Sequence, residues 1–200
     1  PAVRAKALYA AAVLARHQDD FAAARAMCSA ALTVARETGD RSTEAAALNL
    51  LAIVVQRHDR DADAARALFE QSLALRRDLG DRRGEAVALY NLASIASDHD
   101  NDLQAARSLL EASLAIYDRI DDPTGIAGAR RNLGQLAQLQ GDHAAARELY
   151  EGALAIQRDL GDKALIADAL ILLGDVAVDV GDLPLARDRY EAAAPVAEEV

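Results

Sequence analysis

Apolar residues return along this chain at helical spacing. Leu68, Phe69, Leu73 and Leu75 in one stretch are answered by Leu109, Leu110, Leu114 and Ile116 in the next, then by Leu149, Tyr150, Leu154 and Ile156. In each set the residues fall along one stripe of a 3.6-residue helix. No run alternates with period two, so no half-buried strand competes for these segments. Turn residues cut the pattern into ten predicted helices, at residues 3–17, 21–38, 42–58, 62–79, 83–99, 103–119, 124–140, 143–160, 163–180 and 183–198.

The punctuation between them repeats. Ala-Ala-Arg ends at Arg25, Arg66, Arg107 and Arg147 and recurs as Leu-Ala-Arg at Arg187, in steps of 41, 41, 40 and 40. An acid stands five residues before each arginine, at Asp20, Asp61, Asp102, Asp142 and Asp182. Between these lie Gly39-Asp40, Gly80-Asp81, Asp121-Asp122 and Gly161-Asp162. An Asp so placed caps the next helix by accepting a bond from a free N–H of its first turn, while a Gly before it takes the left-handed conformation that ends the previous one. Two caps per period mean two helices per period. The chain is thus expected to form a single array of about five helical hairpins, at residues 1–39, 40–80, 81–121, 122–161 and 162–200.

Composition agrees with close helix packing. Hydrophobic residues make up 52% of the chain but aromatic ones only 4%, so Ala and Leu carry the apolar mass and helices must approach closely. The formal net charge of −10 and the absence of a Lys/Arg block argue against nucleic-acid binding. No stretch has the 18 or so apolar residues of a membrane span. A single cysteine, Cys28, cannot form an internal disulfide, which fits a reducing compartment and a cytoplasmic location. The chain opens on Pro1 rather than Met, as a processed chain or an excised fragment would.

The repeated residues resemble the tetratricopeptide repeat. The fourth hairpin shows Leu133-Gly134, Ala137, Ala146, Tyr150 and Ala153, and the fifth Leu173-Gly174, Ala177, Ala186, Tyr190 and Ala193. The second and third keep the outline with Leu51-Ala52, Ala65, Phe69 and Leu92-Ala93, Ala106, Leu110, but carry Ser72 and Ser113 for the last Ala. The first departs furthest, with Ala10-Ala11, Ala24, Cys28 and Ala31. A period of 40 to 41 rather than the commoner 34 looks like the long-repeat branch of kinesin light chain and of the sensor arrays in bacterial signal-transducing ATPases and transcription activators. The large aromatic that the tetratricopeptide family carries near the start of the first helix is missing, replaced by Leu48, Leu89, Arg130 and Leu170. The resemblance implies an all-α, right-handed superhelical solenoid of ten antiparallel helices, with a concave groove lined by the first helix of each hairpin.

At the positions that line the family's groove stand Asn49, Gln56, Tyr90, Asn91, Ser94, Asp98, Arg131, Asn132, Gln135, Gln138, Asp168, Asp175 and Asp179. Amides donate and accept at once, so a row of them can hold an extended peptide backbone irrespective of its sequence. Asn91 and Asn132 match the long-repeat Asn to which the resemblance gives that role, whereas Leu172 replaces it in the fifth hairpin. The alternative is that these amides tie adjacent helices together, and that the three Asp form an ordinary solvated face. Arg130 either lies along apolar surface or pairs with an acid.

Little in the chain suggests catalysis. His17, His58 and His99 recur in register near the ends of first helices, but adjacent hairpins lie roughly 10 Å apart, too far to share a metal ion. A cation favoured at a helix C-terminus explains the ladder. His143 lies off that register, and no phosphate loop, nucleophile elbow or His-Glu-x-x-His motif is present. No metal, cofactor or enzymatic activity is expected. The expected function is a protein- or peptide-binding scaffold, the sensor or adaptor region of a larger cytoplasmic regulator. Two alternatives stand beside it. One is self-assembly into a homo-oligomer through open solenoid ends, where Leu183, Leu185 and Val196 are apolar. The other is recognition of a small effector by a transcription regulator, through a closed pocket around Tyr90 and Arg131.

Overall fold

The structure is a computed structural model, which describes the backbone of residues 2–198 and the side chains of residues 3–194. The described residues form ten α-helices and no strand: α1 (Ala2–His17), α2 (Phe21–Thr38), α3 (Arg41–Val54), α4 (Ala62–Leu79), α5 (Arg82–Asp98), α6 (Leu103–Arg119), α7 (Pro123–Leu139), α8 (His143–Leu160), α9 (Lys163–Asp179) and α10 (Leu183–Glu198). Nine of the predicted helices agree to within one residue at each end. The third does not run to residue 58 as an α-helix; it changes at Val55 into a π-helical turn, Val55–Asp59.

The turns explain why the helices begin and end where they do. Each of the nine places one residue at positive φ directly before an aspartate: Asp19, Gly39, Arg60, Gly80, Asn101, Asp121, Gly141, Gly161 and Gly181. The aspartate then accepts from the N–H three residues on, as in Asp20 to Ala23 at 2.9 Å, Asp142 to Ala145 at 3.0 Å and Asp182 to Leu185 at 3.1 Å. In most turns its own N–H donates back to the carbonyl five residues earlier, Asp20 to Ala15 at 2.9 Å and Asp142 to Ala137 at 2.9 Å. One short turn therefore satisfies the last carbonyls of one helix and the first N–H groups of the next.

The difference between steps of 41 and 40 has a physical location. From Asp40 to Asp61 and from Asp81 to Asp102 is one residue longer than from Asp122 to Asp142. In the second hairpin the surplus residue is absorbed inside the helix by the π-turn Val55–Asp59. In the third it lengthens the turn, where the Asp102 N–H reaches back six residues to the Ala96 carbonyl at 2.8 Å.

The chain divides into two compact halves, Pro1–Asp102 and Leu103–Val200. Within the first, α1 packs on α2, α3 on both, and α4 on α3 and α5. Its core joins Ala12, Cys28 and Leu50, and beside them Ala15, Ala24 and Val54. Burial pushes the Cys28 thiol up to about 12, so it stays a neutral packing residue. Within the second half α7 packs on α6 and α8, and α9 on α8 and α10. There Tyr150, Leu154, Leu170, Leu173 and Val176 share one cluster with Ala137, Ala146, Ala169 and Ala193. Burying each such Leu or Val contributes about 1.5 to 3 kcal/mol.

The arginine that marks the repeat has a structural task. Arg25 pairs with Asp59, Arg66 donates to both carboxylate oxygens of Asp100 at 2.8 and 2.7 Å, and Arg107 donates to Gln140 Oε1 at 2.6 Å. Each ties the start of a second helix to the close of the next first helix.

Candidate functional site

The groove residues anticipated from the sequence lie on α3, the π-turn that continues it (Gln56) and α5 in the first half, and on α7 and α9 in the second. Counting from each helix's capping aspartate shows a shared design. Asn49 and Gln56 stand nine and sixteen residues after Asp40, and Arg131 and Gln138 stand nine and sixteen after Asp122. At that helical spacing both members of each pair face the following first helix.

Each makes a polar bond there. In the first half Asn91 Nδ2 donates to Asn49 Oδ1 at 3.1 Å, and Gln56 Nε2 donates to Ser94 Oγ at 2.9 Å. In the second, Arg131 donates to Asp168 Oδ2 at 2.7 Å and Gln138 Nε2 to Asp179 Oδ2 at 2.6 Å. These bonds are rungs between neighbouring first helices. The two rungs of the second half carry charge, and charge-assisted bonds of this kind are roughly twice as strong as neutral ones.

Tyrosines from the second helices extend the network. Tyr150 OH donates to Gln138 Oε1 at 3.1 Å, and Tyr190 OH donates to Asp175 Oδ1 at 2.7 Å. Burial pushes the Tyr150 hydroxyl up to about 12, with Arg131 pulling it down and the aspartates 175, 168 and 179 pushing it further up. The bond to Asp175, reinforced by desolvation, raises Tyr190 as well. Glycine makes room for both rings: a Cβ on Gly134 would stand 2.6 Å from Tyr150 Cε1, and one on Gly174 2.5 Å from Tyr190 Cε1.

Asn132 differs from the other amides. Its Oδ1 is buried and meets no hydrogen-bond partner. Tyr90 is half-buried, while Asp98 and Gln135 are exposed. Sequence reasoning did not include Tyr150, Tyr190 or His143 in this surface. His143 Nδ1 lies 3.8 Å from Asp179 Oδ2, and the signal for it was its place at the first turn of α8, beside the end of α9. Arg130 lies over Gly152, where a Cβ would come within 2.8 Å of its guanidinium.

The histidine ladder does not converge. His17 lies 3.1 Å from the Arg16 guanidinium and His58 stacks on Phe21 with ring centroids 5.4 Å apart. Among the described residues no three His, Cys, Asp or Glu side chains are grouped as a metal site requires, and no helix is long and apolar enough to cross a membrane.

Comparison with solved structures places this arrangement among known folds. BtubC (BKLC) from P. vanneervenii is 26% identical with a TM-score of 0.80, over 94% of this chain and 77% of that one. The nearly identical TPR-like repeats of a Podosopora anserina protein likened to kinesin light chain are 18% identical with a TM-score of 0.74, over 100% of this chain and 97% of that one. A Rap protein complexed with Competence and Sporulation Factor is 19% identical with a TM-score of 0.84, over 96% of this chain; the chain spans 53% of the Rap protein's length. The last two likenesses concern the fold alone. No curated protein matches the chain. The tetratricopeptide repeat profile matches residues 3–78, 44–119 and 125–199, so the chain belongs to the tetratricopeptide repeat family of all-α helical-repeat proteins, typically protein-interaction scaffolds.

Proposed function

We propose that this chain holds an extended peptide or protein segment on the faces of its first helices, as the sensor or adaptor region of a larger cytoplasmic regulator. The observation that carries the reading is the Asn132 carbonyl. A buried acceptor without a partner is costly, about 1 to 3 kcal/mol, and a turn of this half-buried side chain toward a peptide N–H laid against α7 would relieve that cost. Asn132 also occupies the position to which the family resemblance gives backbone recognition. Asn91 occupies it in α5, but its amide already donates to Asn49, so it is the weaker anchor. Around Asn132 the Arg131–Asp168 and Gln138–Asp179 rungs hold the neighbouring helix in place, which spares a ligand the cost of ordering the surface. The complex of a Rap protein with Competence and Sporulation Factor supports the reading by likeness of fold.

The test is a combinatorial peptide array probed with the wild-type chain, followed by titration of the peptides it retains. Asn132→Ala should weaken them at least tenfold and Asn91→Ala less, both with unchanged circular dichroism. Peptides bound equally by wild type and Asn132→Ala would refute the proposed site.

A further inference from the structure

Four residues of α7, Gly128, Asn132, Gln135 and Leu139, follow one another at spacings of four, three and four and so form one stripe along the helix. The stripe stays open although Arg131 and Gln138 of the same helix bond to α9. Gln135 is exposed, and Leu139 is a large apolar side chain left 69% exposed. The same places in α5 are open too, with Asn91 and Ser94 half-buried and Asp98 exposed. Openness therefore belongs to this face of a first helix, whatever hairpin follows it.

In α9 the same four places are held by Asp168, Leu172, Asp175 and Asp179. Three carboxylates thus stand on a face with one guanidinium, that of Arg131, a formal charge of −2 with His143 neutral. The side chains of Asp168 and Asp179 are 41% and 39% exposed. Each carboxylate accepts from one neighbour, Asp168 from Arg131, Asp175 from Tyr190 and Asp179 from Gln138. A carboxylate has about four acceptor sites, so capacity for a donor from outside is left over. The excess of negative charge reaches the Tyr150 hydroxyl: burial leads in pushing it up, Arg131 draws it down, and all three aspartates push it up. Apolar residues of α10, anticipated from the sequence as a contact between copies, take no part in this face. Leu183 is exposed, Leu185 is half-buried, and the side chain of Val196 lies outside the described residues.

We infer that the segment held on this face is cationic, with Lys or Arg at alternate positions and an apolar residue between them. The inference rests on the peptide-binding reading of Asn132 and gives the ligand its chemistry. Asp175 and Asp179 are about 6 Å apart along α9, and alternate side chains of an extended strand recur on one side at about 6.6 Å. Two basic side chains of such a strand meet the two carboxylates. The residue between them points the opposite way, toward α7, where Gln135 and Leu139 stand at the same register and Leu139 offers apolar surface to cover. An acidic segment would be repelled by α9, and a neutral one would desolvate its carboxylates without supplying a counter-charge.

A positional library of end-capped peptides tests this, probed with the wild type, Asn132→Ala, Asp175→Asn/Asp179→Asn and Glu148→Gln/Glu151→Gln. The new asparagines keep an acceptor for Tyr190 and Gln138, while the exposed glutamates of α8 give the control that removes the same charge from another helix. Circular dichroism verifies that each variant folds. The wild type should retain basic–apolar–basic peptides at least tenfold over their Glu and Gln counterparts, and raising salt should erode that preference. The aspartate variant should lose at least fivefold of it and the glutamate variant less than twofold. Equal losses in the two double variants overturn the inference, as does a preference that salt leaves unchanged. Peptides that depend on Asn132 but show no basic preference overturn it alone and leave the peptide-binding reading standing. Basic peptides that need the aspartates but ignore Asn132→Ala do the reverse, and a library from which nothing is retained overturns both.

Discussion

Substituting Gly134 by Ala puts one methyl group where the Tyr150 ring already lies. The added Cβ would stand 2.6 and 2.8 Å from Tyr150 Cε1 and Cδ1, closer than carbon atoms pack, and the ring is fully buried and cannot swing away. Overpacking of this kind costs about 1 to 3 kcal/mol. Removing a glycine from a helix interior recovers about 1 kcal/mol. The expected result is a net loss of up to about 2 kcal/mol, which lowers the melting temperature by roughly 2 to 4 °C per kcal/mol in a chain of this size. Gly128 in the same helix is the control, because a Cβ there meets nothing within 4 Å. Gly128→Ala should therefore stabilise by about 1 kcal/mol. Relief should come from a smaller partner, since the third hairpin carries Ala93 and Leu110 in the places of Gly134 and Tyr150. Urea unfolding followed at the helical dichroism band, for Gly134→Ala, Tyr150→Leu and the double variant, gives the coupling directly. A coupling within about 0.5 kcal/mol of zero means no contact. That outcome, or a Gly134→Ala as stabilising as Gly128→Ala, refutes the reasoning.

Arg60 at φ 57 and Gly39 at φ 68 hold equivalent turns. Arg60→Gly should stabilise the chain by about 0.5 to 1 kcal/mol, less than the full left-handed penalty because glycine also loosens the unfolded chain. Gly39→Ala should destabilise it by about 1 kcal/mol, and since its Cβ would meet nothing within 4 Å the effect measures backbone strain alone. Equal urea midpoints for the two variants would contradict this. For acid stability, burial alone would raise Glu85, but bonds from Arg77 and Arg82 outweigh it and hold the carboxyl below its ordinary 4.5. Asp81 is held below 3.8, with burial opposed by the Gly84 N–H and Arg76. A folded value below the unfolded one means stability that is present above the ordinary pKa and lost as pH falls through the folded one. Unfolding free energy should thus drop below about pH 4.5, and Glu85→Gln should flatten that stretch of the curve.

The fold was legible because its signals are local. Each Asp that marks a turn acts within three residues of itself, as Asp20 does on Ala23, and each helix closes within the same turn. The π-turn at Val55–Asp59 was not legible, although the extra residue was visible in the step of 41. An added residue can lengthen a helix turn or a loop at similar cost, and the second and third hairpins chose differently. Arg130 was ambiguous for a related reason: what accommodates it is Gly152, a residue missing from the side-chain pattern that defines the repeat.

The surface was legible only to the level of a helix face. Period and register assign Asn49, Gln56, Arg131 and Gln138 to one side of their helices, but their partners lie 42, 38, 37 and 41 residues on. Those separations share no fixed offset, because a long side chain can bond across a helix pair up or down by a turn. Whether an amide is spent on its neighbour or left for a ligand therefore depends on packing to within an ångström. Asn91 and Asn132 hold the same place in the repeat, yet one is bonded to Asn49 and the other holds a buried carbonyl with no partner. In unit after unit the repeat supplies the same kind of residue at the same place. It is the local departures, a second amide within reach or an arginine in place of one, that separate a structural rung from an open binding position.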